Sequence, residues 1–464
     1  MKERRAIIDI GYNAIRAVVY ETDEPGAPEI FNNKFKSDIL SLLTNDSLDV
    51  KHPSYLSIQY LLHIFDKLEV TSIHCVATAV LRQHPRGEEL IHYIKQKYGF
   101  DIHILTGQEE AEFTAIGLIH GINDCNGMAA DLGGGSLELI EINNSKIGKL
   151  ASLDLGTKII TSKKLNTSDE ILSTIKKEYG CCTYKNLYLI GGAMRFIGRM
   201  YLDFIEYPLK NLHNLEIDSE KFLQYLSKVR SNLNNSKNKI GRRKININAI
   251  LVAQAMVHLF SPEKIIISTY GLKEGVRFKL MDLTKPNILE SKLVYACQYD
   301  INKTDFSAYL KVLDKIVQST KTNIYELLKF SIILNNLKKK LDHTLPPSSI
   351  VEYILSAELP IKQDARIMLA LIASVQSDFK PSHNLVKVSK LIITKENYLT
   401  CQIIGHFLCI AETVDGMNFT KPSFSIDVYK DYYEINTKNI LPRPIFEKIR
   451  TRLKNISYIK KNLG

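Results

Sequence analysis

A chain of 464 residues is too long for one ordinary hydrophobic core, so two or three domains are expected. With 45% hydrophobic and 24% charged residues and no low-complexity stretch, the composition excludes a disordered or fibrous chain. The formal net charge of +11 points to an anionic partner without naming it, and an excess of 25 Lys/Arg over 17 Asp/Glu places most of that charge in residues 286–464.

The seven cysteines form no CxxC pair and no zinc-type spacing with histidine, which reads as reduced structural thiols. No run of 18 apolar residues occurs, and Asp9, Asn13 and Arg16 interrupt the stretch that follows the basic N-terminus. A cytoplasmic protein without membrane or nucleic-acid partners is therefore expected.

The first elements are two β-rich runs within Arg5–Tyr20, joined by a tight turn that begins at Asp9 and Gly11. Val70–Ala79 reads as a buried strand, Glu88–Tyr98 as a helix with Leu90, Ile91 and Ile94 on one face, and Ile102–Leu105 as another strand. A helix follows to about Ile119, where Thr106 and Glu109 have the spacing of a capping box. Glu110 has no such duty, and because neighbouring helical residues diverge by about 100°, only one of the two glutamates can face a cleft.

At Met128–Ile142 the hairpin grammar of the first segment returns as strand, Asp131, Gly133-Gly134-Gly135, Ser136 and a second strand carrying Glu138. This internal duplication implies two similar α/β lobes facing each other, each contributing one glycine turn to a shared cleft. Leu187–Ile190 ending in Gly191-Gly192, and Ile265–Ser268 leading to Gly271–Gly275, continue the alternation. Near Lys285-Pro286 the pattern becomes helical, with Phe306, Tyr309, Leu310, Leu313, Ile316 and Val317 at three- and four-residue spacing, and a hairpin is expected within Phe424–Ile435. The expected domains are lobe I, residues 1–123, lobe II, residues 124–285, and a helical domain of residues 286–464.

Consecutive glycines let a backbone aim several N–H groups at one anion, so the turns at Gly11, Asn13 and Arg16 and at Gly133, Gly134, Gly135 and Ser136 read as a phosphate site. A bare flexible turn is the ordinary alternative for one such loop, and the matched pair argues against it. Asp9 and Asp131 end strands where a hard cation bridging carboxylate and phosphate would stand, with magnesium the natural candidate. Glu110, near bound phosphates, would have its pKa raised by like charge and suit a general base acting on water. Arg16 and Arg82 are candidate phosphate clamps, Arg82 being expected at a strand end.

Together, Asp9–Arg16, Ala77–Arg82, Thr106–Ala111, Asp131–Leu139 and Gly271–Gly275 resemble, in order, the motifs of the exopolyphosphatase and guanosine pentaphosphate phosphohydrolase (Ppx/GppA) family. The resemblance is strong over residues 5 to about 280. It implies an actin-like, ribonuclease H-like superfamily core (the ASKHA group of sugar kinases, heat-shock chaperones and actin) with a cleft between lobes, followed by a mainly α-helical, HD-like C-terminal domain. It aligns Glu110 with the family's catalytic glutamate, Arg82 with a cleft arginine, Asp131 with a carboxylate serving magnesium, and Glu138 with a further metal-linked or water-orienting carboxylate.

The chain departs from the family at Tyr12 and Ala14, which replace serines, and at Leu137, which replaces threonine. The HD-like site would fall near Leu334-Asn335-Asn336, where two amides stand in place of a His-Asp or His-Glu pair, with Asp342 and His343 nearby. Lys338–Lys340 and Arg450–Lys461 supply basic surface for a polyanion or an ordinary solvated face. The expectation is processive, magnesium-dependent release of terminal phosphate from inorganic polyphosphate by a homodimer. The alternatives are conversion of guanosine pentaphosphate to tetraphosphate, a non-catalytic regulator binding those nucleotides, and, more remotely, a kinase.

Overall fold

The computed structural model describes every residue except 1–2, 37, 45–50, 235–245, 284–286, 318–322, 338–345, 347, 380, 417–418, 431 and 462–464. Lys285-Pro286, Lys338–Lys340, Asp342 and His343 thus lie outside the described residues. The chain divides into one unit of Met1–Ile205 with Leu212–Pro286 and another of Glu206–Asn211 with Asn287–Gly464.

The first unit is built on two mixed sheets. In the first sheet, β1 (Arg4–Ile10), β2 (Ala14–Tyr20) and β3 (Glu29–Lys36) form an antiparallel meander, and β4 (Val70–Ala77) and β5 (Ile102–Ile104) continue parallel to β1 in the order β3-β2-β1-β4-β5. Parallel strands need long crossovers. Here the helices Pro53–Lys67 and Gly87–Tyr98 supply them and bury Tyr55, Ile58, Leu61, Phe65, Leu90 and Ile94 against Ile8, Ile10 and Ile15.

The second sheet contains β6 (Gly127–Leu132), β7 (Leu137–Asn143), β8 (Lys146–Leu153), β9 (Asn186–Ile190), β10 (Leu215–Asp218) and β11 (Lys264–Ile267). Its order is β10-β11-β9-β6-β7-β8. Counted from β6, this is the same antiparallel three-strand meander followed by two parallel strands, with β10 added antiparallel at the edge. Two ribonuclease H-like lobes of one order make this an actin-like α/β fold.

Between the sheets lie two helices, Gly107–Gly121 and Leu272–Leu280. Ala111, Ala115 and Leu118 of the first pack on the lobe II core of Ala129, Ile140, Ile142 and Tyr188. Phe113 of that helix, with Leu272 and Val276 of the other, packs instead on Ile7, Val18, Tyr20 and Val76 of lobe I. The two helices approach backbone to backbone. A Cβ on Gly117 would lie 2.1 Å from the Gly271 carbonyl oxygen, and one on Gly275 would lie 1.6 Å from that of Phe113. Glu110 is thereby carried on an element clamped by both lobes.

Two local expectations change. β4 ends at Ala77 and is only half-buried before Cys75, and the chain enters a single helical turn, Ala79–Arg82, in which the Thr78 carbonyl accepts the N–H groups of Leu81 and Arg82. Arg82 therefore ends a helical turn rather than a strand. The helix that begins at Phe306 stops at Asp314, and Ile316 and Val317 are buried after it.

The second unit is mainly helical: Ile288–Cys297, Phe306–Asp314, Ile324–Asn335, Ser348–Ser356, Gln363–Gln376, His383–Ile392, Lys395–Asp415 and Arg443–Lys461, with an antiparallel hairpin of β12 (Phe424–Val428) and β13 (Tyr433–Thr437). Leu293, Tyr309, Leu328, Ile367, Ile404 and Phe407 lie in its core. Arg366 is buried there, its guanidinium donating to the carbonyls of Ile354, Ala357 and Leu359. Asn335 is buried in the same core, and the Asn336 amide donates to the Cys297 carbonyl at 2.8 Å. None of the seven cysteines, all among the described residues, is in a disulfide. No helix among the described residues is long and apolar enough to cross a membrane.

Candidate active site

A cleft of about 320 Å³ opens between the lobes of the first unit, and Asp9, Gly11, Asn13, Arg16, Glu110, Asp131, Gly133, Gly134, Gly135, Ser136 and Glu138 all line it. Register explains the convergence. Asp9 lies directly opposite Arg16 across β1 and β2, and Asp131 directly opposite Glu138 across β6 and β7. Directly opposed residues share one face of an antiparallel pair, so each hairpin delivers two charged side chains to the same side.

Arg82 does not line the cleft. Its Nη1 donates to Glu110 Oε2 at 3.0 Å and to the Leu105 carbonyl at 2.6 Å, so it stands behind the glutamate rather than in the open space. The capping box is present as read: the Thr106 N–H donates to Glu109 Oε2 at 2.8 Å and the Glu109 N–H to Thr106 Oγ1 at 3.1 Å. Glu109 is thus occupied at the helix end, leaving Glu110, 8% exposed, on the cleft side.

Burial controls the electrostatics. It raises the Glu110 carboxyl to about 7, with Arg82 opposing and the charges of Asp131 and Asp9 adding to the rise. Asp9 is lifted by burial to about 6, against the pull of Arg16 and Lys34 and helped by Asp131. Asp131 is also raised by burial, opposed by Arg195 and by a 3.3 Å hydrogen bond that Thr114 Oγ1 donates. Glu138, 1% exposed, is pushed well up by burial and by Glu110 and Asp131, although Ser152 Oγ donates to it at 2.9 Å.

The glycine turn is shaped by close approach. The Gly133 N–H closes onto the Ser136 carbonyl at 3.0 Å, and the Gly133 and Gly134 carbonyls accept the N–H groups of Thr157 and Lys158. None of the three glycines has a positive φ. A Cβ on Gly134 would sit 2.6 Å from Tyr12 Cβ, and one on Gly135 2.2 Å from Tyr12 Cε2 and 2.7 Å from Ala79 Cβ. Gly191 differs: its φ is 95°, and a Cβ there would stand 2.8 Å from Asp131 Oδ1, so both conformation and space require glycine.

Sequence reasoning did not find Thr114, Lys34, Arg195 or Lys273 as parts of this site. Lys34, Arg195 and Lys273 line the cleft. Lys34 lies opposite Arg16 across β2 and β3, a register that no local motif reports. Arg195 stands in the first turn of the helix Gly192–Phe204, and its position after Gly191-Gly192 was the available signal. Lys273 Nζ bridges Glu29 and Glu274 at 2.5 Å each, while Glu274 accepts the Gly271 N–H at 3.0 Å.

Among the described residues no group of three His, Cys, Asp or Glu side chains is arranged to hold a metal. Magnesium, however, is commonly held by one or two carboxylates together with phosphate oxygens and water. Two half-buried carboxylates at the cleft, Asp9 and Asp131, the second raising the proton affinity of the first, fit that donor set.

Residues 18–284 match the family model described as the Ppx/GppA phosphatase family. A Ppx-GppA enzyme from Aquifex aeolicus is similar in structure, with 18% identity and a TM-score of 0.51 over 61% of this chain and 99% of that one. An exopolyphosphatase from Cytophaga hutchinsonii is similar with 19% identity and a TM-score of 0.52 over 60% of this chain and 98% of that one. At such identities these likenesses speak for the fold, while the family match spans more than half of the sequence. The chain belongs to the Ppx/GppA phosphatase family.

Proposed function

We propose that this phosphatase is an exopolyphosphatase, hydrolysing the terminal phosphoanhydride of inorganic polyphosphate with Glu110 as general base. One observation carries the reading: Glu110 is buried at the cleft with a proton affinity near neutrality, where a general base works best. Arg82 holds Oε2 and fixes the carboxylate, leaving Oε1 to accept the proton. Water attacks the terminal phosphorus in line as its proton passes to Glu110, and the bond to the bridging oxygen breaks, releasing orthophosphate and a chain shorter by one unit.

Arg16, Lys34 and Arg195 are cationic groups for the equatorial and penultimate phosphate oxygens, and the two glycine turns add backbone donors. Asp9 and Asp131 would hold magnesium, with Glu138 behind them, and the metal would supply charge neutralisation at the phosphate oxygens.

The lining favours polyphosphate over guanosine pentaphosphate. Among the described lining residues Tyr12 is the one aromatic ring, and it lies against Gly134 and Gly135, which supports a substrate with no base to stack. Phosphate release from long-chain polyphosphate, with guanosine pentaphosphate at equal phosphate concentration as comparison, tests the reading. Glu110→Gln should lower release by at least about a hundredfold in a folded protein. Undiminished release would reject the role of Glu110, and faster turnover of the nucleotide would reject the substrate.

A further inference from the structure

Tyr12, on the turn between β1 and β2, joins the lobes at one point. From the turn of lobe I its ring reaches the glycine turn of lobe II, where the space a side chain would need at Gly134 and Gly135 is taken by Tyr12 itself. Its hydroxyl donates to Gln83 Oε1 at 3.1 Å, and Gln83 Nε2 donates to Asp154 Oδ1 at 2.7 Å, just beyond β8 in lobe II. Asp154 is anchored in turn, because Lys163 Nζ donates to its backbone carbonyl at 3.0 Å. Gln83 directly follows Arg82, the partner of Glu110.

We propose that Tyr12, Gln83 and Asp154 form an inter-lobe bridge that presets the spacing of the two phosphate turns, with Tyr12 and Gln83 as positioning residues for the substrate; this rests on the exopolyphosphatase reading of the cleft. An anion gripped by both turns binds tightly only when the lobes stand at the right separation. Lobes free to hinge bind it with an affinity reduced by the fraction of time spent closed. The ring and its hydrogen-bonded chain supply that rigidity. A bridge of two hydrogen bonds between polar groups shifts such an equilibrium by about five- to tenfold.

The test uses the full chain with magnesium and inorganic tripolyphosphate, read by calorimetric affinity and by phosphate release. Tyr12→Phe and Gln83→Ala each cut the bridge while leaving a ring on the glycine turn. Each is expected to weaken binding and raise KM by about three- to tenfold with kcat within about twofold. The double variant should be no weaker than Gln83→Ala, since both changes cut one chain.

Affinity and KM unchanged in both single variants, or fully additive losses in the double variant, would overturn the bridge. The two readings separate cleanly. If Glu110→Gln releases phosphate like the parent while affinity follows the bridge, only the hydrolytic role fails; if release depends on Glu110 while affinity ignores the bridge, only the bridge fails. A parent chain that binds no tripolyphosphate sinks both.

Discussion

Gly275 offers a test in which the structure reverses the sign that helix propensity predicts. Replacing an interior helical glycine with alanine ordinarily stabilises by about 1 kcal/mol, because alanine surrenders less backbone freedom. In the helix Leu272–Leu280 the new methyl would stand 1.6 Å from the Phe113 carbonyl oxygen and 2.5 Å from its carbon, both backbone atoms that cannot rotate aside. The two helices would have to part by roughly 1.5 Å, and the layer of Phe113, Leu272 and Val276 on lobe I would lose contact.

Overpacking against backbone exceeds the propensity gain, and a net loss of about 3 kcal/mol is expected for Gly275→Ala. For a unit of this size that corresponds to roughly 6–9 °C in the melting midpoint. Differential scanning fluorimetry of the full chain reads the shift, with Gly117→Ala, whose methyl would meet the Gly271 carbonyl at 2.1 Å, expected to behave alike. A midpoint equal to or above the parent's would refute the reasoning, because the helices could then accommodate the methyl without separating.

Two further predictions concern pH. Glu110 has a folded pKa raised to about 7 from 4.5, so ionising it within the fold costs stability that is absent below about pH 4.5 and fully felt above about pH 7. Glu110→Gln should therefore be more stable than the parent by about 2 kcal/mol at pH 8, after allowing for the weakened Arg82 contact, with little gain at pH 5; melting curves at both pH values decide, and no gain at pH 8 contradicts the electrostatics. His406 Nδ1 accepts from Arg452 Nη1 at 3.1 Å, and burial first, then the Arg452 charge, lowers its pKa from 6.5 to about 4. A lowered histidine pKa favours the fold above about pH 6.5 and loses that contribution as pH falls toward 4, about 2 kcal/mol once partial exposure is discounted. Urea midpoints measured from pH 7 to pH 4 should fall more steeply in the parent than in His406→Asn, and equal slopes would exclude the histidine.

The two Asp-x-Gly hairpins, the capping box at Thr106 and the family were legible in the sequence because each is local: a turn needs glycine where it stands, and a cap needs its partner three residues away. The same locality separated Glu109, spent on the helix end, from Glu110, which lines the cleft. Tertiary structure alone decided what meets across the cleft. Lys34 and Arg195 reach it through strand register and a helix start, and Arg82 is drawn behind Glu110 because a helical turn replaces the end of β4.

The glycine turn shows the division most clearly. Its composition suggests freedom of conformation or approach to a ligand, yet the structure shows Tyr12 and Ala79 of the other lobe filling the space at Gly134 and Gly135. Packing between lobes depends on atoms some 120 residues apart in the chain. No periodicity or motif encodes such contacts, because they follow from two separately folded sheets being brought face to face.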